Sequence, residues 1–271
     1  MGTSLSQSTN TKDIPEFSRI PIRSGDYTGP TSGMAPHLMQ ANLVILPRTD
    51  ATSFHDFCMI NPKPCPLLAV SAPGEPRFPT LGADIDLRSD LPGYKVWQGG
   101  KPSEQVADIT KFWRDDLIAF ALGCSFGFEA ALIEAGIELP HFSQGRNVAM
   151  FETTLPLASV GPFKGSMVVS MRYVPRDRVE DVYSICGAFP QCHGEPVHIG
   201  DPDEIGIFDL NAPDYGDPPL GDGIPVFWAC GVTPQSALRT AKLDFAITHE
   251  PGKMLICDVP ATFSDILNAP L

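Results

Sequence analysis

Cations are scarce in this 271-residue chain: 19 lysines and arginines stand against 32 aspartates and glutamates, a formal net charge of −13 at pH 7. A surface of that sign argues against nucleic acid and against an anionic membrane as partners. It still leaves room for a small anionic substrate held in a local cationic pocket. Nowhere do about 18 apolar residues run together, as a membrane-spanning helix requires, and the start shows no signal-peptide hydrophobic region. Seven cysteines (58, 65, 124, 186, 192, 230 and 257) include no C-x-x-C pair. That reads as a reduced, cytoplasmic chain rather than a disulfide framework. Neither a G-x-G-x-x-G after a strand nor a P-loop is present, so nucleotide chemistry has no support and no cofactor is expected. Cys186, Cys192, His193 and His198 are soft ligands, but their spacing matches no zinc pattern, and no metal site is expected.

Proline and glycine, by contrast, are abundant, with 28 and 24 residues spread along the chain. Their spread favours many short strands and ordered loops over disorder. Residues 1–13 are polar, lack aromatics and read as a disordered arm. Residues 14–271 read as one globular domain, with room for two interleaved subdomains whose boundary is not visible. The stretch 121–136 (A-L-G-C-S-F-G-F-E-A-A-L-I-E-A-G) organises the rest. Phe128, Ala131, Leu132 and Ala135 keep helical spacing, Ser125 is typed as an N-cap, and Gly136 supplies the stop. Such a helix start offers free N–H groups to an anion, with Cys124 and Ser125 at its mouth and Glu129 one turn inside.

Strands are expected over 41–47, 67–71, 94–97, 148–153, 166–173, 196–199, 225–229, 245–248 and 254–258. Helices are expected around Phe54–Cys58, over 110–122, after Ser125, after Pro175 and after Thr233. In 166–173, Met167, Val169, Met171 and Tyr173 share one face, and Val168, Ser170 and Arg172 share the other. Cys230 to Pro234 makes a sharp strand-to-helix exit, where open α/β sheets place ligands. Glu250-Pro251-Gly252-Lys253 has type II turn chemistry and predicts a hairpin or tight strand return. The whole reads as an α/β protein on a mixed sheet. Gly123-Cys124-Ser125-Phe126-Gly127 has the G-x-S-x-G spacing, but its serine follows a helical pattern rather than a strand, which argues against a serine hydrolase.

The remaining polar candidates are Arg146, Asn147, Arg172, His198, Asp201 and His249. Arginine forks and helix-start amides bind carboxylates, and histidine with a carboxylate moves protons near neutral pH. Each also has a structural explanation: Arg172 as a loop anchor, His249 as a strand-end cap, Thr233 as an N-cap.

Several strings, in order, resemble one family. They are T-G-P-T-S-G-M-A-P (28–36), Q-A-N-L-V-I-L-P (40–47), N-P-K-P-C-P-L-L (61–68), W-R-D-D-L (113–117) and G-C-S-F-G-F-E (123–129). G-R-N-V (145–148), P-V-H-I-G-D-P (196–202), V-F-W-A-C-G-V-T-P-Q (226–235) and A-I-T-H-E-P-G (246–252) complete the set. The family is that of bacterial hydro-lyases related to D-glutamate cyclase. The resemblance implies a three-layer α/β/α unit with a smaller two-layer α+β unit. It also implies carbon–oxygen lyase chemistry on a small carboxylic or amino acid: D-glutamate to 5-oxo-D-proline and water. This chain departs from the family pattern at Ala149 (usually proline), over 153–157 and at Lys253 (usually histidine).

Lactam formation needs an amine freed for attack, a carboxylate held and polarised, and a protonated leaving oxygen. The expected substrate-binding groups are Arg146, Asn147 and Arg172 with Cys124, Ser125, Cys230 and Thr233. His198 or His249 would carry the proton, oriented by Asp201 or Glu129. The alternatives are a non-catalytic sensor of a small carboxylate or a regulatory subunit, and a homo-oligomer is left open.

Overall fold

The structure is a computed structural model that describes residues 15–262 and 267–268; the arm expected over 1–13 lies outside the described residues. The first half contains α1 (Pro15–Arg23), β1 (Leu38–Pro47), α2 (Arg48–Ile60), β2 (Leu67–Val70), β3 (Tyr94–Gln98), β4 (Lys101–Val106), β5 (Leu117–Gly123), α3 (Phe126–Glu134) and α4 (Pro140–Ser143). The second half contains β6 (Ala149–Pro156), β7 (Ser166–Val174), α5 (Val179–Gly187), β8 (His198–Ile199), β9 (Ile224–Ala229), α6 (Thr233–Ala241), β10 (Ala246–His249), β11 (Leu255–Pro260) and β12 (Leu267–Asn268).

Two sheets result. The larger has the order β12-β2-β5-β1-β10-β3-β4, with β11 also on β1, and the smaller is β6-β7-β9-β8. Every pairing is antiparallel except β12 with β2. β1 is central because its residues are apolar on both faces. Leu43 and Ile45 pack with Phe128 and Leu132 of α3 and Val182 and Cys186 of α5. Val44 and Leu46 pack with Phe54 and Phe57 of α2 and Ala237 and Leu238 of α6. Helices therefore cover both faces of the larger sheet, an α/β arrangement. Phe54 meets Phe120 and Phe163 edge-on at 5.0 and 5.3 Å, and each buried ring contributes about 1.5–3 kcal/mol by leaving water.

The helix expected over 110–122 is a correction. A short 3-10 turn, Thr110–Phe112, precedes strand β5, which is buried along its whole length. L-I-A-F-A-L-G is apolar on every face, and such a run suits a central strand paired on both edges as well as it suits a buried helix. Two elements carry no sequence signal: α1, whose Pro21 lies inside the helix, and β4, an exposed edge strand of K-P-S-E-Q-V.

The 250–253 turn forms as expected, with Lys253 N–H donating to Glu250 C=O at 3.0 Å and Gly252 at φ +87°. It does not close a hairpin. β10 pairs with Val44 and Ile45, and β11 with Gln40 and Ala41, so both run along the same edge of β1 in the same direction. The turn is thus an excursion out of one interrupted strand. Thr31 secures it, its N–H donating to Gly252 C=O and its hydroxyl accepting from Met254 N–H.

Candidate functional site

Two strand ends open into helices between the sheets. β5 ends at Gly123, passes through Cys124 and Ser125, and becomes α3; β9 ends at Ala229, passes through Cys230 to Val232, and becomes α6. The two turns are built alike. Gly127 N–H donates to Cys124 C=O at 3.0 Å and Thr233 N–H to Cys230 C=O at 2.9 Å, three residues on in each case. Each thiol also accepts the N–H two residues on, from Phe126 and from Val232. Cys124, Ser125 and Phe126 line one small cavity together with Cys230, Val232, Asn42 and Asn147. Val148, Met150, Gly252 and Met254 complete its wall. Its volume is about 10 Å³, room for one water-sized group. A larger molecule enters only if the flexible Met150 and Met254 side chains swing aside. The two thiols are the titratable groups on this wall. Burial pushes Cys124 well above the ordinary thiol range. Burial also pushes Cys230 up to about 11, against the pull of the Val232 N–H and Arg172.

Behind Ser125 lies a buried polar cluster. Arg172 donates through Nη2 to Glu129 Oε1 at 2.5 Å and to Ser125 Oγ at 3.2 Å, and through Nη1 to Ser170 Oγ at 3.1 Å. Its guanidinium stacks over Phe128 and Trp228 at 5.3 and 5.2 Å. His141 Nε2 meets Glu129 Oε1 at 2.8 Å, and Ser32 donates to Oε2 at 3.1 Å. Burial alone would raise the Glu129 carboxyl, but His141 and Arg172 outweigh it and hold it at about 2. Alternation along β7 sends Ser170 and Arg172 to this face, as the sequence indicates. Ser32 escaped sequence reasoning because it sits in an irregular segment, and His141 because its helix, α4, is a single turn too short to show a periodic pattern.

The other expected site residues fall elsewhere. His198 packs on Phe227 at 5.7 Å and its Nε2 lies 2.7 Å from Asp201 C=O. Phe227 belongs with Phe151, Val169 and Met171 to the opposite face of the smaller sheet from Arg172. Asp201 caps the 3-10 turn Pro202–Ile205 by accepting from Asp203 N–H. His249 is fully buried, its Nδ1 3.1 Å from Leu43 N and 3.2 Å from Leu43 O. It fills the gap on β1 where β10 leaves off and β11 begins, and burial lowers it to about 4. Arg146 turns to Asp217 at 4.0 Å. Thr233 spends its hydroxyl on Val168 N–H and C=O and its N–H on Cys230, so it neither caps α6 nor faces the cavity. Ser125 likewise makes no cap bond; its hydroxyl takes the Arg172 proton instead.

The G-x-S-x-G stretch does follow a strand, contrary to the helical reading. Ser125 nevertheless holds relaxed helical angles, φ −59° and ψ −18°, instead of a strained elbow, and the hydroxyl meets arginine instead of histidine. Serine-nucleophile chemistry therefore still has no support. Among the described residues no group of three or more His, Cys, Asp or Glu is placed to hold a metal ion, and no helix is long and apolar enough to cross a membrane.

Comparison with known proteins adds relatives. A family model described as D-glutamate cyclase matches residues 118–258, a span holding every cavity residue except Asn42. A protein of Methylobacterium radiotolerans bearing the name "Putative hydro-lyase" is 53% identical over 243 residues, covering 89% of this chain and 90% of its own. A protein of the same name from Bradyrhizobium diazoefficiens is 50% identical over 258 residues, covering 93% and 94%. A nitrogen repressor-like structure from Methanococcus jannaschii aligns at a TM-score of 0.37 and 8% identity, too low to carry an argument.

Proposed function

Because this chain belongs to the D-glutamate cyclase family, we propose that it is a hydro-lyase on a small carboxylic acid, and that it turns D-glutamate into 5-oxo-D-proline and water at the cavity between Cys124 and Cys230. The observation that carries this reading is the convergence of two helix starts on one cavity, with a buried arginine behind one of them. The N–H of Ser125, which lines the cavity, donates to no backbone carbonyl among the described residues. It supplies a dipole-assisted donor for a carboxylate. Asn42 and Asn147 add amides on the same wall. Arg172, its charge already paired with Glu129, does not touch the cavity and acts only by fixing the Ser125 hydroxyl.

Cyclisation joins the amine nitrogen to the distal carboxyl carbon and expels one carboxyl oxygen as water. Protons must pass from the ammonium to that oxygen. The thiols of Cys124 and Cys230 are the titratable groups on the cavity wall, and in this reading they, rather than His198 or His249, carry the proton. The test is to incubate the purified protein with D- and L-glutamate, with and without a chelator, and follow 5-oxoproline by mass spectrometry. Turnover of the D-isomer that is insensitive to chelation is expected. Tight binding of D-glutamate with no product would instead make the protein a sensor of small carboxylates.

A further inference from the structure

Cyclisation of glutamate leaves the α-carbon untouched, yet the cavity is equipped for chemistry there. We propose that Cys124 and Cys230 form a two-sided proton pair, so that the site also exchanges and inverts the α-hydrogen of the 2-amino acid it holds. This rests on the reading of the cavity as a carboxylate site.

Three observations carry it. The two thiols line one cavity and enter it from different sheets, Cys124 from the end of β5 and Cys230 from the end of β9. Each stands in the same turn, with its carbonyl bonded three residues on and its sulfur accepting the N–H two residues on. Neither takes part in a disulfide. The wall also carries Asn147, whose Oδ1 is fully buried without a hydrogen-bond partner while its Nδ2 donates to Pro251 C=O at 3.1 Å. That oxygen is placed to accept a hydrogen bond from an ammonium group. Stray structural cysteines have no reason to share both a turn geometry and a cavity.

The step balances without any further reactant. One thiol first passes its proton to the amine nitrogen of an acid that enters as the free amine, leaving one sulfur as thiolate and the other as thiol. The thiolate takes the α-hydrogen as a proton, and the electron pair of that bond moves into the carboxylate, whose added charge faces the Ser125 N–H at the start of α3. The opposite thiol then gives its proton to the other face of the carbon. The product is the mirror-image acid, with thiol and thiolate exchanged. A buried thiolate whose acid form resists ionisation is a stronger base than an ordinary cysteine.

The experiment runs the wild type, Cys124→Ala and Cys230→Ala in D2O with D-glutamate and, separately, L-glutamate. Mass spectrometry reads deuterium at the α-carbon, chiral chromatography reads inversion, and the same samples report 5-oxoproline. The wild type is expected to place one deuterium in either isomer and to interconvert them. Each variant should lose interconversion by about 100-fold or more while keeping exchange with one isomer only, a different one for each variant. A merely structural cysteine could not produce that split, and circular dichroism confirms that both variants fold. Formation of 5-oxoproline by the wild type without α-deuterium overturns the proton pair and leaves the cyclase reading standing. Exchange that survives equally in both variants also overturns it. Absence of both product and exchange overturns the pair together with the carboxylate reading.

Discussion

Glu129 is 1% exposed and Arg172 3%, and they form an ion pair with Nη2 2.5 Å from Oε1. Removing one side of a buried ion pair strands the other charge, which costs about 3–5 kcal/mol. Glu129→Gln is therefore expected to lower the unfolding free energy by about that amount in urea denaturation, with the Arg172→Met change in the same chain restoring part of it. A loss below about 1 kcal/mol would mean that water reaches the pair. The buried histidines set the pH response. His193 and His249 are both lowered from 6.5 to about 4 by burial, so both are neutral in the fold, whereas the unfolded chain takes up protons below 6.5. Their stabilising effect is full above about pH 7 and is lost as pH falls through 6.5 toward 4. Each contributes a slope approaching about 1.4 kcal/mol per pH unit. Glu129, depressed from 4.5 to about 2, extends the loss below that range. Denaturation midpoints measured from pH 8 down to 5 check this, and a flat profile would contradict the burial of the two rings.

Turns and strand ends, at the scale of the element, decide where the chemistry stands. Gly231 lies against Asn42: a Cβ there would come within 1.9 Å of the amide nitrogen. Gly252, at φ +87°, stands likewise against Asn147 at 2.4 Å. Gly231→Ala should displace Asn42 from the cavity and reduce the turnover of D-glutamate by about 10-fold or more, with a smaller effect on melting temperature. Unchanged kinetics would show that Asn42 has no part in binding. Much of this level was legible in the residues. Alternation along 166–173 put Arg172 on the opposite face from Met171, and the helix after Ser125 stops at Glu134, just before Gly136 with its left-handed φ of +79°. The strand β5 was not legible, because residues buried on both faces carry no period. The 250–253 turn chemistry was readable, but two strands lying end to end along β1 is a tertiary fact that no local pattern encodes. For the same reason His249, next to that turn in sequence, looked like a proton carrier when its ring fills the gap in the ladder.

Across the whole molecule, a net charge of −13 repels an anionic substrate at long range. Arg172 is paired with the ionised Glu129, so local attraction at the cavity rests on the helix-start dipoles, where solvent screening is weak. On the proposed reading the two sheets are the halves of one site, since each delivers a cysteine and a helix start to the cavity. His198 and Asp201 were readable as an acid/base pair by type and spacing alone, but the faces of the smaller sheet separate them from Arg172. The measurement that tests this placement most directly is the initial rate of 5-oxo-D-proline formation from D-glutamate by the wild type, Cys230→Ala and His198→Gln. A site between the sheets predicts activity in the wild type, a loss of about 100-fold or more in Cys230→Ala, and a rate within about twofold of wild type in His198→Gln. An inactive His198→Gln beside an active Cys230→Ala would contradict it and move the chemistry to the opposite face of the smaller sheet.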